Sequence, residues 1–191
     1  MMSRWEPEAR ERLVRAALDL FSEQGYDSTT VAEIAERAGL TKSTFFRYFP
    51  DKREVLAAGQ DTLCKLIEEG IAAAPVSASP LEAVAAALDA ASTAFVPERR
   101  DLGERMEAAI AASSELQERD ALKRLGLTNA FAKALENRGV DDMTASLAAE
   151  LGVLALKRAQ SDWSKSANPT AFREIAHQSL KELRTANSKL S

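Results

Sequence analysis

The sequence predicts an all-α protein, and three observations carry that expectation. Apolar residues recur at i, i+3, i+4 and i+7 through most of the chain, the period of a helix with one buried face. Helix breakers are sparse, with only 8 Gly and 6 Pro among 191 residues, and 46% of the chain is hydrophobic with Ala and Leu prominent. No alternating apolar/polar run competes for a strand. Nine helices are expected.

Val14, Ala17, Leu18 and Phe21 form the buried stripe of a first helix from about Pro7 to Gly25. Pro7 suits its first turn and Gly25 the left-handed position after its last. A second helix is announced by Thr30-Val31-Ala32-Glu33, a capping box, with Val31, Ile34, Ala35 and Ala38 as its inner face. Gly39 breaks it, and Leu40 plugs the turn. Thr41 caps a third helix that places Phe45 and Phe49 one turn apart on one side. Pro50 ends that helix, and Asp51 with Glu54 three residues on opens the fourth.

The remainder reads as helices over 51–73, 78–96, 98–112, 115–138, 141–164 and 169–187. The breaks fall at Ala74–Pro80, Pro97, Ser113-Ser114, Gly139 and Asn168-Pro169. The expected organisation is a DNA-binding domain over 1–52 and a ligand-binding and dimerisation domain over 53–191.

Two short helices joined by a Gly-containing turn form a helix-turn-helix, whose second helix is held outward and fits the major groove. Here that helix spends Phe45 and Phe49 on the core. Lys42, Ser43, Thr44, Arg47 and Tyr48 remain for the exposed side, a set that can reach base edges and phosphates. The net charge of −4 speaks against nucleic acid only in the sum. Between Leu40 and Arg53 the charges are Lys42, Arg47, Lys52 and Arg53 against Asp51 alone, a compact basic footprint.

The run Ala9 to Gly25, then Thr29 to Ala35, Ala38-Gly39-Leu40, Thr41 to Phe49 and Asp51 to Leu56 resembles the N-terminal domain of TetR/AcrR-type regulators. The resemblance covers about 50 consecutive residues. It implies that Thr30 and the start of the second helix meet phosphate. It implies that Lys42, Ser43, Thr44 and Arg47, following Thr41, face bases or neighbouring phosphates, and that Tyr48 and Lys52 pin the DNA backbone. Lys52 also follows from electrostatics, since it opens a helix where free N–H groups draw an anion. Phe46 stands where the family usually has Tyr, so a contact there is expected to be packing against sugar or a thymine methyl.

A module of this size needs two copies about one helical turn apart on a palindromic duplex, so a homodimer is expected. Leu147, Leu151, Leu154 and Ala155 line one helix, and Phe172, Ile175, Ala176, Leu180 and Leu183 line the last. The resemblance implies that these helices of two protomers form a four-helix bundle. It further implies that the intervening region encloses a small-molecule pocket, with the fourth helix a rigid link to the recognition helix. A likeness spread over helix spacing points to acyl-CoA-like ligands. Phe95, Met106, Ile110, Phe131 and Leu154 are the candidate walls, and Arg99, Arg105, Lys157 and Arg158 candidates for an anionic head group. The implied function is a repressor released from its operator by that ligand. The alternatives are a helical protein-interaction module and a constitutive DNA-binding factor without inducer.

Other chemistry finds little footing. The single histidine, His177, has no nucleophile motif to serve. Glu174 and His177 form only half of the pairing that a di-metal bundle requires. Zinc spacing and a glycine-rich phosphate loop are absent from the sequence, so neither metal, cofactor nor enzymatic activity is expected. The single cysteine, Cys64, reads as a small hydrophobe. The most apolar stretch, Leu81 to Val96, contains Glu82 and Asp89, and the first residues (Arg4, Glu6, Glu8, Arg10, Glu11, Arg12) lack the apolar core of a secretory signal. No membrane association and a cytoplasmic location are the expectations.

Overall fold

The computed structural model describes residues 6–165 and 170–190. Within them the chain forms nine α-helices and no strand. They are α1 (Glu6–Gln24), α2 (Val31–Arg37), α3 (Lys42–Tyr48), α4 (Gln60–Ala73), α5 (Pro80–Ser92), α6 (Arg100–Ala112), α7 (Ser114–Glu136), α8 (Asp142–Lys165) and α9 (Phe172–Asn187). The expected break at Asn168-Pro169 lies outside the described residues.

The expected continuous helix over 51–73 is corrected. Lys52–Ala57 forms a 3-10 helix, and Gly59 at φ +83° separates it from α4. Asp51 explains the tight start, because its carboxylate accepts from the amides of Arg53 and Glu54 (3.0 and 3.2 Å). A left-handed residue cannot continue an α-helix, so the single helix expected from Asp51 onward is interrupted at Gly59. Pro97–Arg99 likewise winds as a 3-10 turn ahead of α6.

Packing divides the chain into two compact units. The first comprises the residues up to Ala58 together with Leu102–Leu122, and the second Gly59–Asp101 with Lys123–Ser191. The expected boundary at 52/53 therefore falls inside the 3-10 helix, and the first unit recruits a later stretch of chain. The reason is hydrophobic. Leu13, Ala17, Leu18, Phe21, Ile34, Phe45, Phe49, Val55 and Leu56 make a core to which Leu116 contributes a fully buried side chain. Leu102, Met106 and Ile110 of α6 pack against the same cluster.

Polar links accompany that burial. The Glu54 carboxylate accepts two hydrogen bonds from Arg119 (2.7 and 2.9 Å), the Tyr26 hydroxyl donates to Glu115 (2.7 Å), and Arg105 pairs with Asp19. Burial, and then the Glu115 carboxylate, push the Tyr26 phenol well above its ordinary range, so it stays a donor.

In the second unit α4 and α5 approach so closely that Gly70 lies against the α5 backbone at Ala86 and Ala87. Ile67, Ile71, Val84, Leu88, Phe131, Leu135, Val153 and Leu156 fill the core with a large share of alanine. Phe95 stacks on Phe172 (3.7 Å between centroids), and Trp163 meets both edge-on. Arg138 donates to the carbonyls of Ile71, Ala74 and Pro75 (2.9, 2.8 and 2.6 Å), closing the end of α4. No helix of the described residues is long and apolar enough to cross a membrane.

Candidate nucleic-acid interface

The helix-turn-helix is built as its caps dictate. Thr30 caps α2 with the full reciprocal box: its hydroxyl accepts from the Glu33 amide (3.2 Å), and the Glu33 carboxylate accepts from the Thr30 amide (2.8 Å). Thr41 caps α3 by accepting from the Thr44 amide (3.1 Å). Between them Gly39 adopts φ +64°, the left-handed backbone that favours glycine, beside the Arg12 guanidinium.

The seven residues of α3 sort cleanly. Phe45 is fully buried and Phe49, just beyond the helix, nearly so. Lys42, Ser43, Phe46 and Arg47 are exposed, and the spacing i, i+1, i+4, i+5 puts them on one face. No carboxylate is paired with Lys42 or Arg47 among the described residues. Phe46 is 49% exposed, its ring set edge-on to Phe45 with the Lys42 ammonium 5.9 Å above it. Arg47 leans on Tyr48, with its guanidinium 5.1 Å from the ring and donating to the phenol oxygen (3.3 Å).

Several expected contacts are placed differently. Thr44 is half-buried and shares a hydrogen bond with the Thr41 hydroxyl (2.9 Å), which occupies both groups in the cap. The Thr30 hydroxyl donates to Glu33 (2.7 Å) while accepting from its amide. Bonds from that hydroxyl and from the Thr30 amide hold the Glu33 carboxyl below the usual carboxylate range, so a fixed anion sits where phosphate was expected. Lys52 departs furthest. Its ammonium donates to the carbonyls of Tyr26 (2.6 Å), Thr29 (3.0 Å) and Asp27 (3.3 Å) and lies 4.1 Å from the centre of the Tyr26 ring. Arg53 pairs with Asp51 (3.2 Å). Of the four cations counted in the basic footprint, Lys42 and Arg47 remain on the outward face of α3.

Arg12 carries a role that the sequence does not signal. From α1 it donates to the carbonyls of Ala38 and Gly39, closing the end of α2 and the turn. Arg37 of α2 returns to α1 through two bonds to Glu23 (2.8 and 2.7 Å). Nothing in local sequence announces a bond across 26 positions.

The residues expected to line a pocket are divided between the two units. Met106 and Ile110 serve the core of the first unit. Phe131 is fully buried in the second, against Gly152. Phe95 belongs to the aromatic stack, while Arg99, Leu154, Lys157 and Arg158 are exposed, Arg158 pairing with Glu182 (3.1 Å). Arg105, expected at a head group, pairs with Asp19.

The expected dimer residues divide as well. Ala155, Phe172, Ala176, Leu180 and Leu183 are buried in the chain's own core, and Ile175 packs on it. Leu147 (53% exposed), Leu154 and the unanticipated Met143 stand out along α8, with half-buried Leu151 between them. The i, i+4 spacing that drew attention to α9 records its packing on α5 and α8. His177 accompanies Arg173 at Asp89 of α5 (2.5 Å from His177; 2.8 and 2.9 Å from Arg173). No cluster of three metal-ligating side chains occurs among the described residues.

Residues 13–58 match the family of bacterial regulatory proteins named tetR. The transcriptional regulator TcmR of Streptomyces glaucescens is 37% identical over 81 residues, 42% of this chain and 36% of that protein. The regulator BetI of Rhizobium meliloti is 34% identical over 123 residues, 63% of this chain and 58% of BetI. The matched stretch thus spans between about a third and three-fifths of these relatives' length. Both are transcriptional regulators. Over the whole fold, the TetR-family repressor FadR of Thermus thermophilus, crystallised with lauroyl-CoA, superposes with a TM-score of 0.55 at 26% identity, covering 91% of this chain and 92% of FadR. A TetR-family regulator from Syntrophomonas wolfei shares the fold at a TM-score of 0.63 and 20% identity over 95% of each chain. With the capped α2, the Gly39 turn and the outward face of α3 in place, residues 13–58 form a helix-turn-helix domain that matches the tetR family of bacterial regulatory proteins.

Proposed function

We propose that this protein is a homodimeric, sequence-specific DNA-binding repressor that a small-molecule ligand releases from a palindromic operator. The observation that carries the reading is the outward strip Lys42, Ser43, Phe46 and Arg47, two cations, a hydroxyl and an apolar ring on a helix whose opposite side is anchored by Phe45. Such a strip offers donors to guanine and phosphate and an apolar surface to thymine. In this reading the DNA-binding body is the first unit, residues 102–122 included, in place of residues 1–52 alone.

The dimer rests on α8. Met143, Leu147, Leu151 and Leu154 recur at i, i+4, i+8 and i+11, an apolar stripe, exposed except for half-buried Leu151, that a second copy of this chain covers. An acyl-CoA-like ligand is supported by the likeness to a repressor crystallised with lauroyl-CoA. The packing of α6 and the start of α7 into the DNA-binding body gives such a ligand a lever, because whatever shifts Leu116 or Arg119 disturbs the core under α3.

The test is selection of bound duplexes from a random pool, followed by affinity titrations in rising salt and with acyl-CoA thioesters of increasing chain length. A palindrome should be enriched, its affinity should fall steeply with salt, and one chain-length class should release it. Binding that ignores salt overturns the DNA reading. Salt-sensitive binding that no thioester relieves removes the ligand class.

A further inference from the structure

We propose that Arg10 of α1 is a phosphate contact from outside the helix-turn-helix, set at the far end of the recognition helix by the ring of Phe49. The inference rests on the DNA-binding reading above. Arg10 is half-buried, and its guanidinium lies 5.6 Å from the centre of the Phe49 ring. Phe49 follows α3 directly and is 2% exposed, so a charged head at the C-terminal end of α3 is seated on the core. No carboxylate is paired with Arg10 among the described residues. Glu11, its neighbour on α1, pairs with Arg15 (3.3 Å), and Glu8, two positions back, does not share the Arg10 side of the helix.

That end of α3 is where a bound duplex calls for a cation. Seven residues make about 10 Å of helix and the major groove is about 12 Å wide, so both ends of α3 come close to the phosphates that border it. Lys42 opens α3 on the outward face and serves the first end. At the other end the last carbonyls carry partial negative charge and would repel a phosphate. A guanidinium there reverses the sign, and its planar fork matches phosphate oxygens. Stacking on Phe49 holds the Arg10 head in place before DNA arrives, so little freedom is lost on contact. Phosphates are alike in every sequence. Arg10 therefore contributes affinity, and the choice of bases stays with Lys42, Ser43, Phe46 and Arg47.

The experiment is a salt titration of wild type, Arg10→Met, Arg10→Lys and Lys133→Met on a selected duplex and on an unrelated one. Arg10→Met keeps an apolar stem on Phe49 and removes the charge. Lys133 is exposed on α7, and Lys133→Met makes the same change of net charge elsewhere. Arg10→Met should lower the salt slope by about 1.8 per dimer, ~0.9 for each phosphate no longer neutralised, and weaken both duplexes alike by about tenfold. Arg10→Lys should keep the wild-type slope, and Lys133→Met both slope and affinity. An unchanged slope in Arg10→Met overturns the proposal. A loss confined to the selected duplex overturns it too, making Arg10 a support for Phe49, as does an equal drop of slope in Lys133→Met, which reduces the effect to overall charge. Should Arg10→Met not fold, the Arg10 side-chain nitrogen of the wild type is followed by NMR, assigned by its absence from Arg10→Lys. A signal that shifts when the unrelated duplex is added supports the contact, and one that does not move overturns it. A wild type that binds neither duplex overturns the DNA-binding reading and this contact with it, whereas wild-type binding that Arg10→Met leaves unaltered overturns the contact alone.

Discussion

Leu116→Ala tests whether the start of α7 is part of the DNA-binding body. Leu116 is fully buried and shares a core with Leu13, Phe45 and Phe49. The change removes roughly three methylene equivalents, worth about 2.4 kcal/mol at ~0.8 kcal/mol each. The residual cavity brings the expected loss to about 3–4 kcal/mol. If the first unit melts on its own, at ~4–8 °C per kcal/mol, its midpoint falls by about 12–32 °C; if the whole chain unfolds together, at ~2–4 °C per kcal/mol, by about 6–16 °C. Leu122 is 55% exposed on the same helix, and Leu122→Ala should stay within about 0.5 kcal/mol of wild type. Urea denaturation gives the free energies, and thermal melting followed by circular dichroism and by operator binding gives the midpoints. Leu116→Ala as mild as Leu122→Ala would refute the shared core, and α6 with the start of α7 would have to be reassigned.

Gly70→Ala should destabilise by about 1–3 kcal/mol in urea despite the better helix propensity of alanine, because the new Cβ would lie 2.7 Å from the Ala86 oxygen and the Ala87 Cα, which move only with α5 itself. Asp89→Asn should cost ~0.5–1 kcal/mol at pH 7. Burial by itself would raise the Asp89 carboxyl, but hydrogen bonds from Arg173 and His177 outweigh it and hold it below its ordinary value. A depressed carboxyl stabilises above its unfolded pKa of about 3.9, so the gap between wild type and Asp89→Asn should close as pH falls below that value. A gap unchanged in acid would contradict the pairing. Leu147→Glu with Leu154→Glu should yield monomers by sedimentation while the helical content holds, since both side chains are exposed in the single chain.

The parts of this fold that local chemistry specifies can be read directly. The Thr30–Glu33 box, the Gly39 turn, the Thr41 cap and the burial of Phe45 and Phe49 all follow from residues at most four positions apart. The break at Gly59 does not, because one glycine inside a helical pattern costs only about 1 kcal/mol and is often tolerated. Lys52 escapes for a different reason. A charge on a helix surface looks the same in sequence whether it faces phosphate or three carbonyls 23 to 26 residues away. Periodicity also says that a stripe is buried without saying by what. In α9 the cover is α5 and α8, in α6 it is the first unit's core, and along α8 an apolar stripe remains uncovered.

The brevity of α2 and α3, seven residues each, has a consequence for folding. Neither can persist alone in water, where a helix needs about 12–15 residues even to be marginal. Their order is borrowed from Arg12, Lys52 and the aromatic core beneath Phe45, so the pair emerges only after α1 and the 3-10 helix have docked on either side. A peptide copying residues 30–50 would carry the whole reading surface and none of the means to hold its shape.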